Sequence, residues 1–374
     1  MMKLGVDALR LSGQRLGIGR YLEYLLKYWN EQLERSDVVT LYVREPVDLD
    51  ELGLSDAFRV NVLGPAINGT LWENAILAPR CVGQHVLFGP SYTLPLTYSG
   101  RSVVATHSVN EAQPDAHPWW YNYSHSVLNR LSALKANRVI VPSESTKVDV
   151  ERYYGIEPSK IDVVAEGADE MFRPISDQDI LRNTRERYFG YDRPYILFVG
   201  KLSQRRNIPS LMRAFAGLRQ RYNIPHGLLL FGPNVLDLPI AKLSSELGLT
   251  GSVVQTDGKV ARHEELLPIY NAADLYVYPS SYDGFSLTLV EAMACGLPVV
   301  TSKRAAIGEI ANGYAEQVDD PSDPEALANA IGRVIHDQAL RSRLRDKSLE
   351  RATRFRLRET AQATLEVLRR AAAG

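Results

Sequence analysis

PSSYDGFSLTLVEAMACGLPVVTS, Pro279 to Ser302, sets the fold class of this chain. An apolar run, Leu275–Tyr278, leads into a polar loop containing Gly284. A helix then begins at Leu287, a turn at Gly296 ends it, and Pro298–Thr301 is strand-like. Strand, loop, helix, turn and strand in this short space make one parallel βαβ unit. Ser286 stands at the N-cap position, where its hydroxyl can cap the helix, and the amides of Leu287 to Val290 lack helical partners. Such an end attracts phosphate. Asp283 lies just before the helix and Glu291 one turn inside it, so both carboxylates can face one ligand. The plainer reading has Asp283 in a turn and Glu291 on a solvated face.

The alternation extends both ways. Towards the N-terminus, strands are expected at Lys3–Leu9, Val38–Val43, Val86–Phe88, Val103–Thr106, Val139–Val141 and Ile161–Val164. The first helix spans Gly19–Leu33, with Tyr21, Leu25, Leu26, Trp29 and Leu33 on one face. The pattern restarts at Tyr195–Val199 and continues through Leu228–Phe231, Val253–Gln255, Leu275–Tyr278 and Pro298–Thr301. The fold expected is α/β: two Rossmann-like, doubly wound parallel-sheet domains, residues 1–172 and 173–353, facing across a cleft. Phe172–Pro194 reads as the hinge plus a short helix. Residues 354–373 form a final helix expected to pack back on the first domain.

Composition narrows the function. The 374 residues are 45% hydrophobic and 23% charged, which describes a folded soluble protein. A net charge of -1 argues against nucleic acid as a partner. The chain through Arg173 is mildly acidic and the remainder mildly basic, which favours the second half for a diphosphate. No apolar run is long enough to span a membrane, and the N-terminus lacks a signal-peptide pattern. Cys81 and Cys295, far apart, point to a reduced, cytoplasmic protein.

Three other stretches carry chemistry. FVGKLSQRRNIPSLMRAF, Phe198–Phe215, ends a strand at Gly200 and places Lys201 and Arg206 before a helix. Two cations there can neutralise a leaving diphosphate without a metal, or they are simply a solvated basic loop. RLSGQRLGIGRY, Arg10–Tyr21, puts Gly13, Gly17 and Gly19 between the first strand and helix, though not at G-x-G-x-x-G spacing. VVATHSVNE, Val103–Glu111, ends a buried strand at His107, a position as suited to structure as to catalysis.

Together with VDALRLSGQRLGIGRY, FGPSYTLPL and RVIVPSESTKVDVERYYGIEPSKIDVVAEGADEMFRP, these stretches resemble the retaining GT-B glycosyltransferases of family 4, in the mannosyltransferase-like branch, over nearly the whole chain. The resemblance implies transfer of a hexose from a nucleotide diphosphate sugar, GDP-mannose or otherwise a UDP-hexose, to a glycan, lipid-linked or small-molecule acceptor. His107 then lies by the reacting carbon, Lys201 and Arg206 hold the diphosphate, Asp283 the sugar and Glu291 the ribose. Further donor contacts fall at Gly17, Gly19, Gly200, Gly284, Phe285, Ser286, Leu287, Thr288 and Leu289. The family usually has Arg then Lys where this chain has Lys201 and Arg206, Glu where Asp283 stands, often Gly in place of Ser286, and in many members Asp in place of Ser108.

No cofactor or metal is expected. The D-x-D triplets Asp48–Asp50 and Asp177–Asp179 follow no strand entering the cleft. Thr256–Val260 is placed near the base. His117–Tyr123, HPWWYNY, reads as a packed helix start, an acceptor groove or a peripheral membrane contact at the inner membrane face. Two rival readings share the fold: a nucleotide-sugar epimerase and a non-catalytic nucleotide-sugar binder.

Overall fold

A computed structural model describes residues 1–12, 17–65, 67, 69–110, 119–260 and 263–374, with backbone alone for 119–125. The chain divides into two compact units. The first comprises Met1–Glu166 and Leu357–Gly374, the second Gly167–Arg356.

The first unit is built on β1 (Lys3–Asp7), β2 (Val38–Val43), β3 (Phe58–Val62), β4 (Val86–Gly89), β5 (Ser102–Ala105), β6 (Arg138–Val141) and β7 (Ile161–Val163). All neighbours pair in parallel, in the order β3-β2-β1-β4-β5-β6-β7. The helix Ile18–Gln32 buries Tyr21, Leu22, Leu25, Leu26 and Trp29, the stripe that its 3.6-residue period dictates. That stripe packs with Leu357, Ala361, Leu365 and Leu368 of the final helix, Leu357–Ala373. The Trp29 indole N–H donates to the Ala361 carbonyl at 2.8 Å, and the ring is fully buried. The segment expected as one helix from residue 354 thus begins at Leu357. A separate helix, Gln338–Ala352, ends before it.

The second unit holds β8 (Tyr195–Val199), β9 (Gly227–Phe231), β10 (Val253–Thr256), β11 (Leu275–Tyr278), β12 (Val299–Ser302) and β13 (Glu316–Val318). These are also parallel, in the order β10-β9-β8-β11-β12-β13. β8, β9 and β11 are buried along their whole length, as a doubly covered parallel sheet requires. Two edge strands, β3 and β13, escape the sequence pattern. The first mixes Arg59 and Asn61 with apolar residues, and the second is only Glu316–Val318. An edge with one solvated side needs no continuous apolar run.

Phe172–Pro194 lies within the second unit and holds the short helix expected there. Phe172 and Leu181 are buried in the core of the second unit, and the helix Gln178–Phe189 is capped by Asp177, whose carboxylate accepts the amides of Asp179 and Ile180. Asp48 likewise accepts the amides of Asp50 and Glu51. Both D-x-D triplets therefore serve local backbone geometry. Cys81 and Cys295 are free and buried, and burial pushes both thiols up, Cys81 to about 12. Among the described residues no helix is long and apolar enough to cross a membrane.

In both sheets strand order reverses beside the first strand, between β1 and β4 and between β8 and β11. Loops leaving adjacent strands there diverge to opposite faces, which opens a crevice at the carboxyl ends. Trp29→Ala should cost about 3–5 kcal/mol of the first unit's stability in chemical denaturation, by cavity formation and loss of the Ala361 bond. A loss under about 1 kcal/mol would show that the final helix does not depend on this contact.

Candidate donor site at the second switch point

Gly200 follows β8 with φ 137, a conformation open to glycine. It also leaves room for the neighbouring loop: a Cβ on Gly232, just past β9, would collide with the Gly200 carbonyl oxygen. The loop then runs through Lys201 to a short turn, Gln204–Arg206, and the helix Ile208–Tyr222. It is laced to the loop after β11. The Ser281 amide donates to the Arg205 carbonyl at 2.9 Å, and the Asn207 amide group donates to the Pro279 carbonyl and Ser281 Oγ, each at 2.8 Å.

This lacing brings Arg206 and Asp283 together. Asp283 is buried, and its Oδ2 accepts the Tyr278 hydroxyl at 2.8 Å. Its Oδ1 accepts Arg205 Nη1 at 2.9 Å, with Arg206 Nη2 at 3.6 Å. Arg205 also donates to the Tyr282 carbonyl. Arg206 donates to the Lys201 carbonyl at 3.1 Å and lies over the Tyr278 ring. Burial opposes its charge, but Tyr278 and Asp283 more than offset this and raise its pKa further. Lys201 is different. It is exposed, no ion pair involves it among the described residues, and burial together with Arg206 and Arg205 lowers its pKa. A cation held among other cations with no counter-ion is ready to take an anion.

The helix Leu287–Ala294 begins beside Asp283. Ser286 occupies the N-cap, but its hydroxyl makes no capping bond. The Val290 amide donates to the Ser286 carbonyl at 3.2 Å, so the unpaired set is Leu287 to Leu289, one fewer than expected. Thr288 Oγ1 accepts from the Tyr276 hydroxyl, which ties its side chain to β11, and Phe285 packs edge-on to Phe355. Gly284 is buried in the same loop. Glu291 is not on a solvated face. It is buried, accepts the Tyr270 hydroxyl at Oε2 (2.7 Å) and meets His263 Nε2 at Oε1 (3.4 Å). Thr256 ends β10 and residues 257–260 follow it, with Gly258 packed on Gly232. Sequence reasoning missed Arg205, Tyr278, Tyr270 and His263. Only the position of Arg205 in the basic loop offered a signal.

The remaining expected site residues lie in the first unit. Gly17, at φ 51, is the N-cap of Ile18–Gln32, and Gly19 is buried within that helix. Gly13, His117 and Pro118 lie outside the described residues, and residues 119–123 are described by backbone alone. His107 follows β5 and is held from both sides, Nδ1 to Glu166 at 2.7 Å and Nε2 to the Pro90 carbonyl at 2.8 Å. Both partners offer acceptor oxygens, an arrangement that favours the protonated ring. Burial opposes that charge, but Glu166 outweighs it and raises the pKa. Glu166, another residue the sequence did not single out, thus engages one ring nitrogen of His107 and the Pro90 carbonyl the other.

A family profile described as Glycosyl transferases group 1 matches residues 182–351, and one described as Glycosyltransferase Family 4 matches 17–171. The chain is 34% identical over 261 residues to a D-inositol 3-phosphate glycosyltransferase of Nocardioides sp., covering 64% of this chain and 54% of that one. It is 26% identical over 280 residues to the O-antigen chain mannosyltransferase B of Escherichia coli, covering 74% and 72%. The match thus spans little more than half the length of the inositol-phosphate relative. Among solved structures, sucrose-phosphate synthase of Thermosynechococcus elongatus aligns with TM-score 0.77 at 22% identity, covering 100% of both chains. Anabaena HepE in complex with UDP-glucose aligns with TM-score 0.77 at 17% identity, covering 98% and 99%. The fold is GT-B, and the chain belongs to the family 4 glycosyltransferases.

Asp283 and Lys201 should separate sharply in stability. Asp283→Ala removes the carboxylate that Arg205, Arg206 and the buried Tyr278 hydroxyl share and should cost about 3 kcal/mol in urea denaturation. Lys201→Ala should stay within about 0.5 kcal/mol. Equal small effects would mean that the Asp283 pairs contribute nothing to folding.

Proposed function

We propose that this chain is a retaining hexosyltransferase that binds a nucleotide diphosphate sugar on its second unit and needs no metal. The observation that carries the reading is Lys201, which among the described residues has no counter-ion, beside Arg206 and the amides of Leu287 to Leu289, which there have no backbone partner. In this reading Lys201 and the helix end take the diphosphate, and Arg206 adds charge from behind. Charge already fixed in place stabilises a departing diphosphate without reorganisation. Asp283, held by Arg205 and Tyr278, is aimed at the sugar, and Glu291, held by Tyr270, at the ribose.

Retention follows from the family resemblance. The acceptor hydroxyl attacks on the face from which the diphosphate leaves, and the departing phosphate takes its proton. The bond from the anomeric carbon to phosphate oxygen breaks as the new glycosidic bond forms. The protein supplies position and charge, and both His107 ring nitrogens are already engaged, by Glu166 and the Pro90 carbonyl. The donor is a GDP- or UDP-hexose. The mannosyltransferase relative and the GIGRY opening favour GDP-mannose, and the UDP-glucose bound by HepE supports the alternative.

GDP or UDP should raise the melting temperature with and without chelator, adding about 2.7 kcal/mol at a hundredfold excess over its dissociation constant. Lys201→Ala should weaken that binding about tenfold or more, as for one charged contact of about 1.5–3 kcal/mol. Binding abolished by chelator, or unchanged in Lys201→Ala, contradicts the reading.

A further inference from the structure

Glu291 lies one turn inside the helix Leu287–Ala294 and is only 4% exposed. A buried carboxylate is costly unless donors meet it. Here two partners come from one neighbouring stretch, in which the turn His263–Glu265 runs directly into the helix Leu266–Asn271. The Tyr270 hydroxyl donates to Oε2 at 2.7 Å, and His263 Nε2 stands 3.4 Å from Oε1. We propose that His263 is a positioning residue: it fixes the plane of the Glu291 carboxylate and so makes the site select ribonucleotides over 2′-deoxyribonucleotides. The inference rests on the donor reading above, in which Glu291 meets the ribose.

Two attachments do what one cannot. The last torsion of a glutamate is broad, so a carboxylate tied through Oε2 alone can still turn about its own axis. A second tie at Oε1 removes that freedom. A carboxylate offers about four acceptor sites, so it can keep both ties and still accept from ribose hydroxyls. Discrimination against a missing hydroxyl depends on an acceptor that cannot swing away to another partner.

The His263 ring is itself held in place. Its side chain is only 12% exposed, and Phe172 packs edge-on against it with ring centroids 5.1 Å apart. Phe172 meets Tyr270 in the same manner at 5.7 Å and is itself buried, so one ring aligns both ties. A carboxylate only accepts, which favours the ring form with its proton on Nε2. The contact is long for a hydrogen bond yet within ion-pair reach, and contacts of this kind tighten when a ligand is bound.

Calorimetric titration of the full chain with UDP, 2′-deoxy-UDP, GDP and 2′-deoxy-GDP reads the ribose preference directly. For whichever base binds, the wild type should favour the ribonucleotide by about tenfold, the scale of one hydrogen bond to a charged group. His263→Leu keeps an apolar side chain against Phe172 but cannot donate. It should bring the ratio to about two or less while leaving the 2′-deoxynucleotide affinity within about twofold of wild type. His263→Gln returns an N–H near the position of Nε2 and should restore most of the ratio. A His263→Leu variant that weakens both nucleotides alike, or that keeps the full ratio, overturns the proposal. So does a His263→Gln variant that behaves like His263→Leu, or a wild type with no ribose preference. A wild type that binds no nucleotide at all instead sinks the donor reading, which keeps the two failures apart.

Discussion

The reversal of strand order beside β1 and beside β8 is the constraint on which the chemistry depends. A parallel sheet buried on both faces has no polar surface of its own. Polar groups can gather only where the loops at the carboxyl ends separate, and that happens where the winding changes direction. In the second unit the loops after β8 and β11 carry Lys201, Arg205, Arg206 and Asp283. In the first unit the loops after β1 and β4 carry Arg10 and Ser91 beside Asp7. One topological rule, applied twice, gathers charged groups at the end of both sheets.

Electrostatics then sort the cations at the second switch point. Arg205 and Arg206 are spent on Asp283 and on carbonyl oxygens, so they shape the loop more than they advertise charge. Lys201 has no counter-ion among the described residues. The exchange of residue types relative to the usual family order has a physical consequence. A planar guanidinium stacks on Tyr278 and pairs with a carboxylate, which an ammonium does less well, while the exposed position receives the compact point charge. The shortening from Glu to Asp at 283 is matched by Arg205 and Tyr278, which hold the carboxylate on both oxygens.

Much of this was legible in the sequence, for reasons tied to particular residues. Central strands such as Leu228–Phe231 announce themselves as apolar runs, whereas β3 and β13 hide because an edge tolerates Arg59, Asn61 and Glu316. Lys201, Arg206, Asp283 and Glu291 stood out as charged residues of short loop–helix stretches, and only the resemblance to family 4 gave them roles. Their partners did not stand out. Tyr278 and Tyr270 look like core aromatics, and only the fold brings Tyr270 to Glu291. Glu166 is a lone carboxylate with no local pattern, and its partner His107 lies far away in sequence. Capping by Ser286 was a fair inference from residue type, but its hydroxyl turns elsewhere.

The central claim is that a nucleoside diphosphate sits on the second unit at its switch point. A crystal structure of the chain soaked with GDP or UDP tests it most directly. The account predicts the diphosphate against Lys201 Nζ and the amides of Leu287 to Leu289, with the ribose hydroxyls toward Glu291. A nucleotide bound at another edge of that sheet, or in the first unit, would contradict it.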